Sequence, residues 1–453
     1  MLLRRTSLNR AQLRDRRNTR KIHNDTSLCD KINTFIVYKK RVTSSITWKI
    51  HFNLYFIATM SCQTDVFRPN FFFWKIFGIW SGRTASIYYK YYSFSYLFVT
   101  LVVYNGLLTL NLIYTPLKIE LLIREVIFYF TEIAVTAKVL MIVVMRSKIL
   151  DAFNLLDCEE FKEDDEDSER IMKSNHSSYR TYWKMYAILS NFAYSSQVFA
   201  PLFVYLIWKT ELELPICKYY FLSDELRNKY FSFWFIYQSF GIYGHMMYNV
   251  NVDTFIAGLL MMAIAQLKVL KVKFTNFKLE KNYKKLDAAV QEQIQIQRLN
   301  SLLKHYHCVL RYCATIQDIL SVTMFVQFGM ASAIVCVVMC GLLLPSTTET
   351  LVFMVTYLLA MTMQIFVPGW LGTQLSHESQ ELSFAAYSCE WIPRSLPFKR
   401  SIMLFVERAN IPIQLTGLKM FPLTLATFTS IMKTAYSFFT LIRNVQDHED
   451  GAN

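Results

Sequence analysis

The sequence predicts an all-α membrane protein with seven transmembrane helices, a cytoplasmic N-terminus, an extracellular C-terminus and a cytoplasmic helical anchor region. Three observations predict it. Hydrophobic residues make up 53% of the 453 positions and charged residues only 18%, against about 25% charged in soluble domains. Several runs of more than 20 residues contain no Asp, Glu, Lys or Arg, and about 20 apolar residues cross a bilayer. Lys and Arg collect on alternate loops between those runs.

In chain order, residues 1–59 form a basic, polar extension. It resembles a transit peptide, but its one apolar patch, Ile46 to Ala58, is too short to span, so a disordered tail is expected and Met60 makes a natural start. Residues 60–265 hold spans one to four, the ligand-pocket region. Phe94–Tyr114 and Tyr186–Trp208 are free of charge, Val126–Met145 carries Glu132 and Lys138, and Phe231–Ala265 carries Asp253. Residues 266–318 lack Pro, and Leu299, Leu302, Tyr306, Val309, Leu310 and Cys313 recur at helical spacing, which predicts cytoplasmic helices with an apolar stripe. Residues 319–376 hold spans five and six, Ile319–Leu344 and Leu351–Ser376, both uncharged. Residues 377–417 are an anchor segment, residues 418–445 hold the last span (Pro422–Ile442), and residues 446–453 are a short extracellular tail.

Orientation follows from the cations. Counted from residue 74, 25 Lys and Arg fall on the side of the N-terminus and 7 on the other, so the N-terminus is expected in the cytoplasm. G-protein-coupled receptors have the opposite topology. The acidic run Glu159–Asp167 reads as a solvated, disordered loop. Much of the formal charge of +14 comes from the first ninety residues and most of the rest from loops between apolar runs, so it implies no nucleic acid partner.

No catalytic motif is present, so an enzyme is not expected, and neither is a cofactor. Nine cysteines lack a CxxC pair; Cys308 and Cys313 share a helix without metal spacing, so no metal is expected. Ionisable residues inside spans are costly and mark functional candidates. Glu132 and Lys138, six residues apart, cannot pair along one helix, and each is expected to face a cavity or another helix. Asp253 reads as an interfacial residue at a helix end.

Two constellations remain. Aromatic residues crowd the outer halves of spans two, three, four and six: Phe128, Tyr129, Phe199, Phe203, Phe235, Tyr237 and Tyr357, with Gln197, Gln238 and Glu132 as polar points among them. A small apolar ligand needs such walls, and ordinary packing accounts for them equally well. In the last span, Lys433, Ser437, Thr440 and Asn444 follow a helical stripe. A polar stripe in lipid must meet protein or water, so copies of this helix around an axis would enclose a hydrophilic pore.

Gly417 to Val445, GLKMFPLTLATFTSIMKTAYSFFTLIRNV, resembles the C-terminal signature of insect odorant receptors. His377 to Trp391, HESQELSFAAYSCEW, resembles that family's lead-in, and Arg68 to Trp80, RPNFFFWKIFGIW, carries a weaker likeness. Gustatory receptors, the sister family, end in a different motif. The resemblance implies a tetrameric, ligand-gated cation channel in the plasma membrane of sensory-neuron dendrites, detecting volatile small molecules and assembled with an odorant-receptor coreceptor. It implies a gate at Thr440, with Phe439 and Arg443 nearby. The coreceptor has an apolar residue where this chain has Thr440 and lacks SFFTLIRNV, so the chain is expected to be a tuning subunit. A gustatory-type channel and a G-protein-coupled receptor are the alternatives.

Overall fold

A computed structural model describes residues 63–80, 86–162, 165–209, 212–277, 287–344 and 348–450. The basic extension and the start at Met60 lie outside these. After a 3-10 turn at Thr64–Phe67 come α1 (Arg68–Ile76) and α2 (Ile87–Tyr114), whose middle, Phe98–Val103, is π-helical. Next are α3 (Ile119–Val144), α4 (Arg146–Leu156), a 3-10 turn at Glu159–Phe161, and α5 (Glu166–Trp208). The chain continues through α6 (Asp224–Lys229), α7 (Phe231–Thr275), α8 (Ala288–Gly341), α9 (Thr348–Tyr387) and α10 (Leu396–Ala409). A two-residue antiparallel pair, β1 (Thr416–Gly417) and β2 (Phe421–Pro422), leads into α11 (Leu425–Asp450).

All seven predicted spans fall on helices. Five of those helices, α2, α3, α7, α8 and α9, are long and apolar enough to cross a membrane. Helix α5, at 43 residues, contains the charge-free run Tyr186–Trp208, and α11, at 26 residues, has the length but is diluted by its polar stripe.

Helix α7 is the central post, packed by α5, α9, α8 and α3. Its residues from Val250 to Leu270 are almost all buried, which is why that stretch reads as hydrophobic all round. Helix α1 is fixed to it by Asn70, whose amide donates to the Asn251 carbonyl at 2.8 Å and to Thr254 Oγ1 at 3.0 Å, and accepts from the Tyr179 hydroxyl at 2.7 Å. Phe67, Phe71 and Trp74 then meet Phe153 and Phe255 in edge-on ring contacts. The sequence RPNFFFWKIFGIW is thus an aromatic plug with one polar key.

Several boundaries differ from expectation. Only the end of the acidic run is α-helical: Asp165 accepts the Ser168 N–H at 3.2 Å and caps α5, with Glu166, Asp167 and Glu169 in its first turn. Carboxylates are favoured there by the helix dipole. The helix that holds span six continues past Ser376: α9 runs on through Tyr387 with Pro368 inside it. The last helix starts at Leu425 rather than Pro422, because residues before it form the β1–β2 hairpin. Its turn puts Leu418 and Lys419 at φ 48° and 60°, a region that side chains resist. Helix α8 holds it there: Gln317 donates to and accepts from the Thr416 backbone at 2.8 and 2.7 Å, and Ser321 Oγ accepts the Leu418 N–H at 3.1 Å.

The expected stripe on the Ala288–Asp318 half of α8 does face inward. Leu299, Leu302, Tyr306 and Val309 are buried, and the Tyr306 ring meets Phe405 of α10 edge-on at 5.0 Å. A buried polar chain crosses the same region. His305 Nε2 lies 3.1 Å from Gln266 Oε1, Gln266 donates to Gln63 at 3.3 Å, and Gln63 donates to the Phe161 carbonyl at 2.6 Å. That direction requires His305 to donate from Nε2.

Candidate functional site

The predicted aromatic residues are partly brought together. Phe128 and Tyr129 of α3, Phe235 and Tyr237 of α7, and Tyr357 of α9 gather around Tyr104 and Leu108 of α2 in one cluster. The Tyr357 ring lies 6.0 Å from Phe128 and 5.4 Å from Phe353, and its hydroxyl is bonded to Thr131. Phe199 and Phe203 do not join. They are 45% and 62% exposed, while Val198, about 100° around α5 from Phe199, is the residue that turns inward. Gln197 only touches the rim, donating to the Pro215 carbonyl at 3.3 Å.

A loop closes the cluster. Leu214, Ile216, Cys217 and Tyr219, between α5 and α6, are each under 5% exposed, unusual for a connecting segment. Their backbone needs partners, and Gln238 supplies them. It accepts from the Ile216 N–H at 3.0 Å and donates to the Cys217 carbonyl at 2.9 Å. Asn111 accepts the Tyr220 N–H at 3.0 Å and donates to Glu125 at 2.6 Å. Gln238 is therefore the clamp of the lid, and its amide is already engaged.

Beneath the cluster lie two buried charge pairs. Glu132 is ion-paired with His245 of α7, whose ring stacks 4.6 Å from Tyr104 and whose Nε2 meets the Thr100 carbonyl. That carbonyl sits in the π-helical turn of α2, where the backbone pattern shifts and frees it. Gly241 gives Tyr104 its space, since a Cβ there would enter the ring. One helical stretch further along, Lys138 meets Asp253 at 2.7 Å and Asn249 at 2.8 Å. Asp253 is thus no helix-end residue: it lies mid-α7 with its side chain 9% exposed, because a buried lysine needs a counter-charge.

His245, Tyr104, Tyr219 and Trp234 were not singled out from sequence. His245 had a signal in the sequence, an ionisable ring inside an apolar run. Tyr219 had none, being a loop residue.

On α11, Lys433, Ser437, Arg443 and Asn444 are exposed, Phe439 and Thr440 half-buried, and Ala435 on the reverse face is fully buried. Ser437 and Thr440 hydroxyls donate to carbonyls of their own helix at 3.0 and 2.9 Å. The reverse face packs through Ala435 and Met432 against Ile334, Val335 and Val338 of α8.

The family profile described as 7tm odorant receptor matches residues 118–436. The chain belongs to the insect odorant receptor family. The receptor is 30% identical to odorant receptor 59a of Drosophila melanogaster over 46% of its own length and 54% of that protein's. It is 26% identical to odorant receptor 10 of Aedes albopictus over 32% and 38% respectively. Against putative odorant receptor 85d of Drosophila melanogaster it is 22% identical over 59% and 60%. The receptor therefore spans about half the length of the relatives it matches. Its fold is similar to the insect olfactory receptor OR5 of Machilis hrabei solved with eugenol, with a TM-score of 0.72 at 19% identity, covering 84% of this chain and 98% of that one. A second structure of the Machilis hrabei receptor matches with a TM-score of 0.70 at 18% identity, covering 83% of this chain and 97% of that one.

Proposed function

We propose that this receptor is a tuning subunit of an odorant-gated, non-selective cation channel, assembled as a heterotetramer with an odorant-receptor coreceptor in the plasma membrane of sensory-neuron dendrites. The observation that carries this reading is the pairing of two sites in one chain. One is an aromatic cluster lidded by a clamped loop; the other is an exposed polar stripe on the last helix. A volatile ligand supplies apolar surface, and Phe128, Tyr129, Phe235, Tyr237 and Tyr357 supply walls for it, with the Tyr357 hydroxyl as an orienting group. The stripe Lys433, Ser437, Thr440 and Asn444 cannot face lipid tails. Around a four-fold axis it would face water and the ions in it, with Thr440, Phe439 and Arg443 at the narrow part.

The Lys and Arg asymmetry supports a cytoplasmic N-terminus, an extracellular aromatic cluster and an anchor region of α8 and α10 below the membrane. Voltage-clamp recording with a broad panel of volatiles tests the reading. Odour-evoked cation current is expected when the coreceptor is present, with Phe128→Ala and Tyr357→Ala shifting potency. Odour-evoked current that persists without the coreceptor, or a G-protein-dependent response in its place, would overturn it.

A further inference from the structure

The turn between α4 and α5 places Cys158 and Glu160 against Cys308 of α8, 150 residues away in sequence. The two thiol sulfurs and a carboxylate oxygen all lie within 4.8 Å of one another. None is free to drift. The Phe161 N–H bonds to the Cys158 carbonyl at 3.2 Å, Gln63 holds the Phe161 carbonyl at 2.6 Å, and the buried Phe161 ring packs 5.1 Å from His305, one turn before Cys308. A rigid turn thus presents two donors to a third on a rigid helix. Cys158 and Glu160 are half-buried, so the cluster is reachable from solvent.

We propose that Cys158, Glu160 and Cys308 form a binding site for a thiophilic divalent cation of the zinc class, stapling the α4–α5 turn to α8. Two sulfurs and one carboxylate are zinc donors, whereas calcium and magnesium take oxygen alone. Tetrahedral bonds of about 2.3 Å put two sulfurs about 3.8 Å apart, so a small inward shift closes the site and leaves a fourth position for water. On binding, each S–H bond breaks, its proton leaves to solvent and the sulfur lone pair coordinates the metal, so two protons are released per cation.

The sequence alone pointed away from this, since Cys308 has no partner at metal spacing; only the fold supplies Cys158. The test uses the full chain purified in detergent with a non-thiol reductant. One Zn2+ per chain and a sulfur-to-Cd2+ charge-transfer band are expected, both lost in Cys158→Ser/Cys308→Ser. Glu160→Gln should keep the band and weaken binding by at least about tenfold, the scale on which even outer-shell partners register. In the unmutated chain, Zn2+ should slow alkylation of Cys158 and Cys308 together and spare Cys336 and Cys340. Equal Zn2+ uptake by the double variant, or no protection of the pair in the unmutated chain, would overturn the site.

Discussion

At the scale of single residues, the side chains hardest to bury say most. Lys138 is fully buried and Asp253 nearly so, and a lone charge in that setting costs several kcal/mol. Lys138→Met should therefore lower stability by about 3–5 kcal/mol, because it strands Asp253. Lys138→Met with Asp253→Leu should recover most of the loss, as paired apolar groups avoid desolvating either charge. Thermal unfolding in detergent measures both, and equal damage from the single and double changes would count against the pair. His305 gives a pH dependence. Burial first, and the charge of Lys273 second, hold its ring down to about 3. The folded state keeps it neutral while the unfolded chain takes up a proton below about 6.5. Stability from this group is thus complete above that pH and is lost as pH falls from there toward 3. The melting temperature should drop between about pH 7.5 and pH 5 in the unmutated chain, and His305→Gln should flatten that drop.

Elements are positioned by close approach and by borrowed hydrogen bonds. Gly372 of α9 lies against the Leu423 carbonyl so tightly that any Cβ would collide with backbone. One turn earlier a Cβ at Gly369 would stand 3.1 Å from the Thr424 carbonyl. Thr373 beside them accepts the Leu425 N–H at 2.9 Å and so satisfies the first turn of α11. The chain can enter α11 only over this glycine face. Gly372→Ala should displace the start of α11 and lower the yield of assembled channel at the cell surface, while Gly106→Ala, with open space around it, should leave it unchanged. Normal assembly in Gly372→Ala would mean that the α9–α11 crossing has slack.

At the scale of the whole molecule, charge bears on the orientation and the conduction proposed above. Asn175 opens a glycosylation sequon, but it sits inside α5 with its amide 3.4 Å from Met262, so its modification is blocked by structure on either side of a membrane. A sequon appended beyond Asn453 is the cleaner probe and should be glycosylated if the C-terminus is extracellular; an unmodified tail would reverse the orientation. Each copy of this subunit would place an Arg443 at the mouth of the proposed pore. At ~8 Å and an effective dielectric of ~20, unit charges repel by about 2 kcal/mol, which opposes cation entry. Arg443→Gln should raise cation conductance in the heteromer and leave the order of preferred odorants unchanged. Unaltered conductance would place Arg443 away from the permeation path.

The sequence by itself determined the membrane class, the seven helical runs and the polar stripe of α11. Each is written in local periodicity or in the near-absence of charge, and neither depends on what lies opposite. It also marked Glu132 and Lys138 as residues facing a cavity or another helix, and the structure sets His245 and Asp253 of α7 against them. Tertiary structure alone decided the rest. Tyr219 and Cys217 became core residues because Gln238, a single amide on α7, satisfies the backbone of a loop that would otherwise stay in water. Phe199 and Phe203 left the aromatic cluster because helix rotation is set by the packing of Val198, which no aromatic count reveals. Cys158, Glu160 and Cys308 converge only once two distant elements pack, and a sequence records spacing along the chain, whereas binding depends on distance in space.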